Sequence, residues 1–332
     1  MDSTGTDVVT EAAGLLVVGE LCVDIIVNVG DDIPFGQAET LVESTTLTLG
    51  SSSAITACGA ATLGVPTTMV GVVGADVFGQ VVTDELARRG VDVGWVRVDP
   101  ATPTGASTHL SRRDGDRAIL TSLGTIGAVT AADVPDSLFE ARAHLHVGSY
   151  FLQSGLWDEA PELFRRARAH GLSTSLDGNY DPAGAWDAGI LNLLPLLDVF
   201  FGNEQELRGI TGAASAEMAV ESALDTMPEG AIVVCKLGAD GAVAAWREAG
   251  ETRRLAAGVP AMPGVLVDTV GAGDSLASGF LAARLGSESL ADCLAVAVAC
   301  GTASTRGAGG VGAQASREAA WDLARSVTVQ RA

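Results

Sequence analysis

Eight residues carry the strongest chemical signal in the chain: Val267-Asp268-Thr269-Val270-Gly271-Ala272-Gly273-Asp274. Gly271 and Gly273 allow a tight turn and a close backbone approach by a ligand. The apolar run from Ser275 reads as a helix fed directly by that turn. The first N–H groups of a helix have no partner within it and stand at its positive dipole end. Here they are the amides of Ala272, Gly273 and Asp274. Such a cradle suits a phosphate. Asp274 at its rim could accept the proton of an attacking hydroxyl. It would be a weak base there, because a helix N-terminus favours the ionised carboxylate. The same residues also suit an ordinary strand–helix turn closed by an N-cap Asp.

Asn203-Glu204-Gln205-Glu206 has the N-cap and N3 spacing of a capping box. Lys236 is the one lysine in the chain, against nineteen arginines, and it precedes Gly238 and Gly241. A compact ammonium at that point differs chemically from every other cation available. The four histidines have no metal-ligand spacing, although His146 ends a predicted core strand. Arg112, Arg113 and Arg117 surround a predicted hairpin tip. No G-x-x-x-x-G-K-S/T run occurs: Gly74 and Gly79 have the spacing, but Gln80 and Val81 follow. Gly307, Gly309 and Gly312 spell G-x-G-x-x-G after an Ala-rich helix, with too little chain beyond them for a βαβ unit. They read as a flexible turn, which argues against a nicotinamide-dependent dehydrogenase.

The elements that must position these residues alternate. Strands are predicted at Leu15–Val18, running on through Gly19 toward Val23–Val27, and at Thr67–Val73, His144–Val147, Ser173–Leu176, Val199–Phe201 and Ile232–Lys236. The last has a hairpin partner at Val243–Trp246. Helices are predicted at Ser52–Leu63, Val77–Arg89, Pro161–His170, from Glu204, at Ser275–Arg284 and at Leu290–Ser304. This alternation implies a parallel sheet covered on both faces. Thr-rich stretches in 31–49, and a hairpin at Ala106–Arg112 and Asp116–Leu120 turning at Asp114-Gly115, do not fit the alternation. They suggest a second, smaller sheet inserted twice. The main α/β domain is therefore assigned to 11–30, 50–102 and 125–325, and the small sheet to 31–49 and 103–124. Residues 1–10 read as a loose tail.

Composition narrows the function. Twenty basic residues face 41 acidic ones, a formal charge of −21. Nucleic-acid binding leaves a basic footprint, which is absent. No apolar run reaches a membrane span, and no basic leader is seen. Five scattered cysteines without a CxxC pair suit buried thiols in a reducing cytoplasm.

The run Asp268 to Asp274 resembles the D-T-x-G-A-G-D motif of the ribokinase-like (PfkB) carbohydrate kinases. Gly19 to Asp24, Gly50 with Leu63-Gly64, Gly71-x-x-Gly74-x-Asp76-x-x-Gly79, Asp177-x-Asn179, Asn203-Glu-x-Glu206 and Lys236-x-Gly238-x-x-Gly241 resemble further family segments in order, over residues 14–312. The resemblance implies a Rossmann-like three-layer α/β/α sandwich with a small β-sheet lid. It implies ATP and Mg²⁺ as cofactors, a small sugar-like substrate, and Asp274 as catalytic base. Asp24, Gly50, Ser51, Ile55 and Ile126 would face the substrate. Asn203, Glu206, Lys236, Gly238, Gly241 and Gly273 would face the nucleotide, with Glu206 near the Mg²⁺ shell. Asp268 and the Val270 carbonyl would border a monovalent-cation site, often K⁺. A homodimer through the lids is a family-level expectation.

The chain departs from the family at the substrate side. The double glycine reads Gly50-Ser51, and Ile55 and Ile126 stand where polar residues are common. Apolar side chains there cannot satisfy a sugar hydroxyl, which argues against ribose and for a deoxy sugar, a sugar acid or a nucleoside. A nucleoside kinase of the same fold is the alternative. A non-catalytic sugar-binding relative is disfavoured by the intact run from Gly271 to Asp274.

Overall fold

The computed structural model describes residues 14–30, 33–112 and 117–332. The chain enters through β1 (Leu15–Val18), then leaves its sheet at Gly19 and joins a different one as β2 (Cys22–Gly30), which pairs with β3 (Ser44–Leu49). After α1 (Ser52–Thr62) come β4 (Thr67–Gly74), α2 (Val77–Arg88) and β5 (Asp92–Asp99). The hairpin β6 (Gly105–Arg112) and β7 (Arg117–Ser122) then completes the second sheet in the order β3-β2-β6-β7.

The rest returns to the first sheet: β8 (His144–Val147), α3 (Ala160–Ala169), β9 (Ser173–Asp177), β10 (Val199–Asn203), α4 (Glu204–Thr211), α5 (Ala216–Thr226), β11 (Ile232–Lys236), β12 (Ala242–Glu248) and β13 (Glu251–Ala257). Three helices, α6 (Ala272–Leu285), α7 (Leu290–Ser304) and α8 (Arg317–Ala324), precede the edge strand β14 (Val329–Arg331). The ten-stranded order is β14-β13-β12-β11-β10-β9-β8-β1-β4-β5. It is parallel from β5 to β11 and antiparallel beyond.

Both faces of the sheet are buried because apolar residues occupy both parities of its strands. Leu15 and Val17 of β1 enter a core beneath α1, α2, α6 and α7, while Leu16 and Val18 enter a second core beneath α3, α4 and α5. The result is the three-layer α/β/α sandwich that the alternation predicts. All five cysteines are buried and free.

Two boundaries differ from the sequence reading. Residues 22–30 belong to the small sheet, not to a continuation of β1. At Gly19 the chain touches α1 so closely that a Cβ would overlap the Ser53 hydroxyl, and there it turns away. The main sheet also runs to Arg331, beyond the expected boundary at 325. The predicted tail at 1–10 and the Asp114-Gly115 turn lie outside the described residues.

Candidate active site

The glycine turn before α6 is fastened from behind. The Asp268 side chain accepts the Val270 N–H at 3.0 Å through Oδ1 and the Gly309 N–H at 2.9 Å through Oδ2. Gly271 is the N-cap, with φ 70°, and a Cβ there would stand 2.6 Å from Gly310 Cα. Glycine is therefore required twice over, by conformation and by space. The Ala272 N–H is taken by the Thr269 carbonyl at 3.3 Å, and the Ser275 N–H by the Gly271 carbonyl at 2.8 Å. Among the described residues, the amides of Gly273 and Asp274 make no such bond. The cradle is thus narrower than the three amides expected from sequence.

The G-x-G-x-x-G loop read as flexible is part of this site. Gly309, Gly310 and Val311 are buried. A Cβ at Gly309 would lie 2.9 Å from Thr48 Cγ2 in the small sheet, so the loop is wedged between that sheet and the turn. Ile55 presses on the same place. Its side chain is 3.1 Å from where a Gly271 Cβ would be, and a Cβ on Gly310 would overlap it. At 2 % exposure, Ile55 braces the turn.

Adjacent strand ends gather the charges. Asp177, Asn203 and Lys236 end β9, β10 and β11, which are neighbours in the sheet, and Asn203 is in register with Lys236. Lys236 Nζ lies 2.7 Å from Asp177 Oδ2 and 3.7 Å from Glu206 Oε2, and its stem flanks Gly273. Burial opposes the Lys236 charge, but Asp177, Glu206 and Asp274 outweigh it and raise its pKa. Glu206 closes the capping box foreseen in the sequence. It accepts the Asn203 N–H at 2.8 Å and the Asn203 side-chain amide at 2.7 Å, while its own N–H reaches Asn203 Oδ1 at 2.9 Å. Burial raises its pKa first and Asp177 adds, against Lys236. Past β11, Gly238 and Gly241 have φ 59° and 96°, and a Cβ at Gly241 would overlap the Ala257 carbonyl oxygen.

Asp274 is 7 % exposed. Burial pushes its carboxyl up to about 7; Lys236 pulls it down, and Asp177 and Glu20 push it further up. This reverses the expectation of a weak base. Desolvation outweighs the helix N-terminus, and Asp274 titrates near neutrality. The Asn179 amide, held in the left-handed region at φ 53°, faces Asp274 Oδ1 at 3.5 Å and donates to Ser52 at 2.9 Å.

The small sheet supplies Asp24, 4 % exposed, with His109 Nε2 3.3 Å from its Oδ1. Gly50 is required beside it, since a Cβ there would overlap that carboxylate. Ser51 stands at the position of the family's second glycine, has φ 73° in the region that favours glycine, and N-caps α1 by accepting the Ala54 N–H at 3.0 Å. Ile126, 1 % exposed, packs where a Gly105 Cβ would be, at the root of β6.

Sequence reasoning missed Glu20. Its carboxylate, 3 % exposed, takes the Ser53 hydroxyl, the Ser53 N–H at 3.3 Å and the Gln153 amide at 3.2 Å. An acid inside an apolar run, just before Asp24, was the available signal. His146 is a core histidine: burial holds it down to about 4, and its Nδ1 is 2.8 Å from the Ser175 hydroxyl.

A sandwich that carries a small sheet over a glycine turn and a buried Asp is the fold of the ribokinase-like kinases. Adenosine kinase from Sinorhizobium meliloti superposes with a TM-score of 0.80 at 24% identity, covering 94% of this chain and 99% of that one. Arabidopsis thaliana ribokinase complexed with ribose and ATP gives 0.76 at 22%, covering 95% and 99%. At the sequence level the chain is 31% identical over 286 residues to the ATP-dependent ribose-1-phosphate kinase of Halopiger xanaduensis, spanning 84% of this chain and 88% of that one. It is 29% identical over 294 residues to the 2-dehydro-3-deoxygluconokinase of Bacillus subtilis, spanning 85% and 87%. Residues 12–316 match the pfkB family carbohydrate kinase profile. The chain belongs to that family and is an ATP-dependent carbohydrate kinase. Among the described residues no helix is long and apolar enough to cross a membrane.

Proposed function

We propose that this enzyme transfers the terminal phosphoryl group of ATP to a hydroxyl of a small sugar-like acceptor lying between Asp24 of the small sheet and Asp274 of the turn. Asp274 takes the hydroxyl proton. The free amides of Gly273 and Asp274, at the start of α6, face the charge that builds on the transferring group. Lys236 stands beside them, paired with Asp177 and Glu206. The nucleotide side is Asn203, Glu206 and the Gly238–Gly241 loop. Asp24, Gly50, Ser51 and Ile126 border the acceptor, with Ile55 behind them. The small sheet acts as the lid.

Bound Mg²⁺ would supply charge neutralisation at the phosphates. Among the described residues no group of three His, Cys, Asp or Glu side chains is arranged to hold a metal. Both Glu206 oxygens are engaged by Asn203, which fits contact through water, as Mg²⁺ commonly keeps several waters. Asp268 fits K⁺ poorly. Its Oδ1 is bonded to Val270 in the turn and its Oδ2 to Gly309 of the neighbouring loop, and the Arg117 guanidinium is 3.6 Å from Oδ1.

The outer face of the small sheet presents Leu47 and Leu120, 45 % and 60 % exposed, and Phe35 and Leu41 in the connection between β2 and β3 are exposed as well. This apolar surface supports a homodimer through the lids. Five buried, unpaired cysteines suit a cytoplasmic enzyme.

The observation that carries the reading is the buried Asp274 beside two free helix-start amides. Its test is the pH profile. The base must be ionised, so log kcat/KM should rise with unit slope up to about pH 7 and then level. A flat profile from about pH 5.5 to 8 would refute Asp274 as the base.

A further inference from the structure

Strand register fixes which side chains of the small sheet face the catalytic turn. Asp24 is in register with Thr48 of β3 and Ser107 of β6, and Ile26 with His109. Residues in register share a face, and so do residues two apart on one strand. Asp24, Thr48, Ser107 and His109 therefore lie on one side. Two contacts show that this side covers the site. Thr48 meets the Gly309 loop, and Arg117, in register with Ser111 on the same side, reaches Asp268 at 3.6 Å. On that face His109 is 6 % exposed. Its Nε2 lies 3.3 Å from Asp24 Oδ1, while its Nδ1 is buried with no hydrogen-bond partner among the described residues. Buried polar atoms are almost always bonded, and the exceptions concentrate at functional sites. An imidazole Nδ1 accepts a hydrogen bond when bare and donates one when it carries a proton, and a hydroxyl can answer either.

We propose that His109 is a second acceptor-recognition residue, whose Nδ1 exchanges a hydrogen bond with a substrate hydroxyl adjacent to the one held by Asp24. The substrate class is then a compound presenting two neighbouring hydroxyls to the lid. Recognition that the family resemblance places at polar counterparts of Ile55 and Ile126 has moved to the small sheet. This rests on the reading that the acceptor lies between that sheet and the turn.

The test compares wild type, His109→Leu and His109→Gln, using whichever of ribose, ribose 1-phosphate, 2-dehydro-3-deoxygluconate, fructose and adenosine gives the highest kcat/KM. Leu should raise the acceptor KM about tenfold or more, far beyond its effect on kcat, with the KM for ATP within about twofold. Gln, which keeps a polar atom, should recover part of the loss. In wild type, saturating acceptor should shift the ¹⁵N resonance of His109 Nδ1, a readout that needs no variant to fold. An unchanged acceptor KM in folded His109→Leu, or an unmoved resonance in saturated wild type, overturns the assignment. Turnover with an unmoved KM overturns His109 alone; no turnover with any acceptor overturns His109 and the proposed function together.

Discussion

Asp274→Asn removes one negative charge and nearly preserves the side chain's shape. It should have opposite effects on activity and stability. The folded carboxyl titrates at about 7 against an ordinary 3.8, a difference of about 3 units. At about 1.4 kcal/mol per unit, ionising it inside the fold costs at most about 4 kcal/mol. The sign follows from a raised acid pKa. The cost is absent below about pH 4, grows as pH rises, and is complete above about pH 7. Asn never incurs it. Lys236 loses one partner in the variant but keeps Asp177 at 2.7 Å and Glu206 at 3.7 Å, so the net gain at pH 8 should be about 1–3 kcal/mol. Thermal melts at pH 5 and pH 8 should show a Tm advantage for the variant that widens with pH. Steady-state assays at pH 8 should show kcat lowered by about 10²-fold or more, the usual worth of a general base. Wild-type turnover would remove Asp274 as the base, and a variant less stable than wild type at pH 8 would show that its buried charge costs no stability.

Gly271→Ala should lower stability by about 1–3 kcal/mol and reduce phosphoryl transfer, because it forces a side chain into φ 70° and against Gly310; an unchanged Tm would show the turn is not clamped. Asp24→Ala should raise the acceptor KM while leaving ATP affinity by calorimetry within about twofold, and unchanged acceptor binding would remove Asp24 from the site. Exchanging K⁺ for Na⁺ should leave kcat within about twofold, since Asp268 is already bonded and faces Arg117. A strong K⁺ requirement would contradict that.

Much of this molecule can be read from its residues because local rules and tertiary demands coincide there. The β9, β10 and β11 strands are short buried runs, and a parallel sheet needs them so. Asn203 and Glu206 form the capping box their spacing announces. Gly271 sits where only glycine fits. The unread parts depend on distant contacts. Nothing local tells that the chain changes sheets at Gly19, and the neighbour that requires glycine there, Ser53, is more than thirty residues on. Edge strand β5 shows little of the apolar run that marks its neighbours, so its pairing with β4 is invisible in one dimension. The Gly307–Gly312 loop looks flexible until Asp268, Ile55 and Thr48 close around it. Asp274 reads as a weak base because a helix N-terminus is visible in sequence, while the burial that outweighs it is a property of the folded site.

The most direct test of the central claim is acceptor-dependent release of ADP from ATP, measured over ribose, 2-deoxyribose, ribose 1-phosphate, 2-dehydro-3-deoxygluconate, fructose and adenosine, with the phosphate ester identified by ³¹P NMR. ADP should form only when an acceptor is present, in a one-to-one ratio with a phosphate ester. Ribose should trail the best acceptor by roughly tenfold or more in kcat/KM, because Ile126 at the acceptor border offers a hydroxyl no partner. ADP formation indifferent to every acceptor, or none at all while ATP binds, would contradict phosphoryl transfer to a sugar-like hydroxyl.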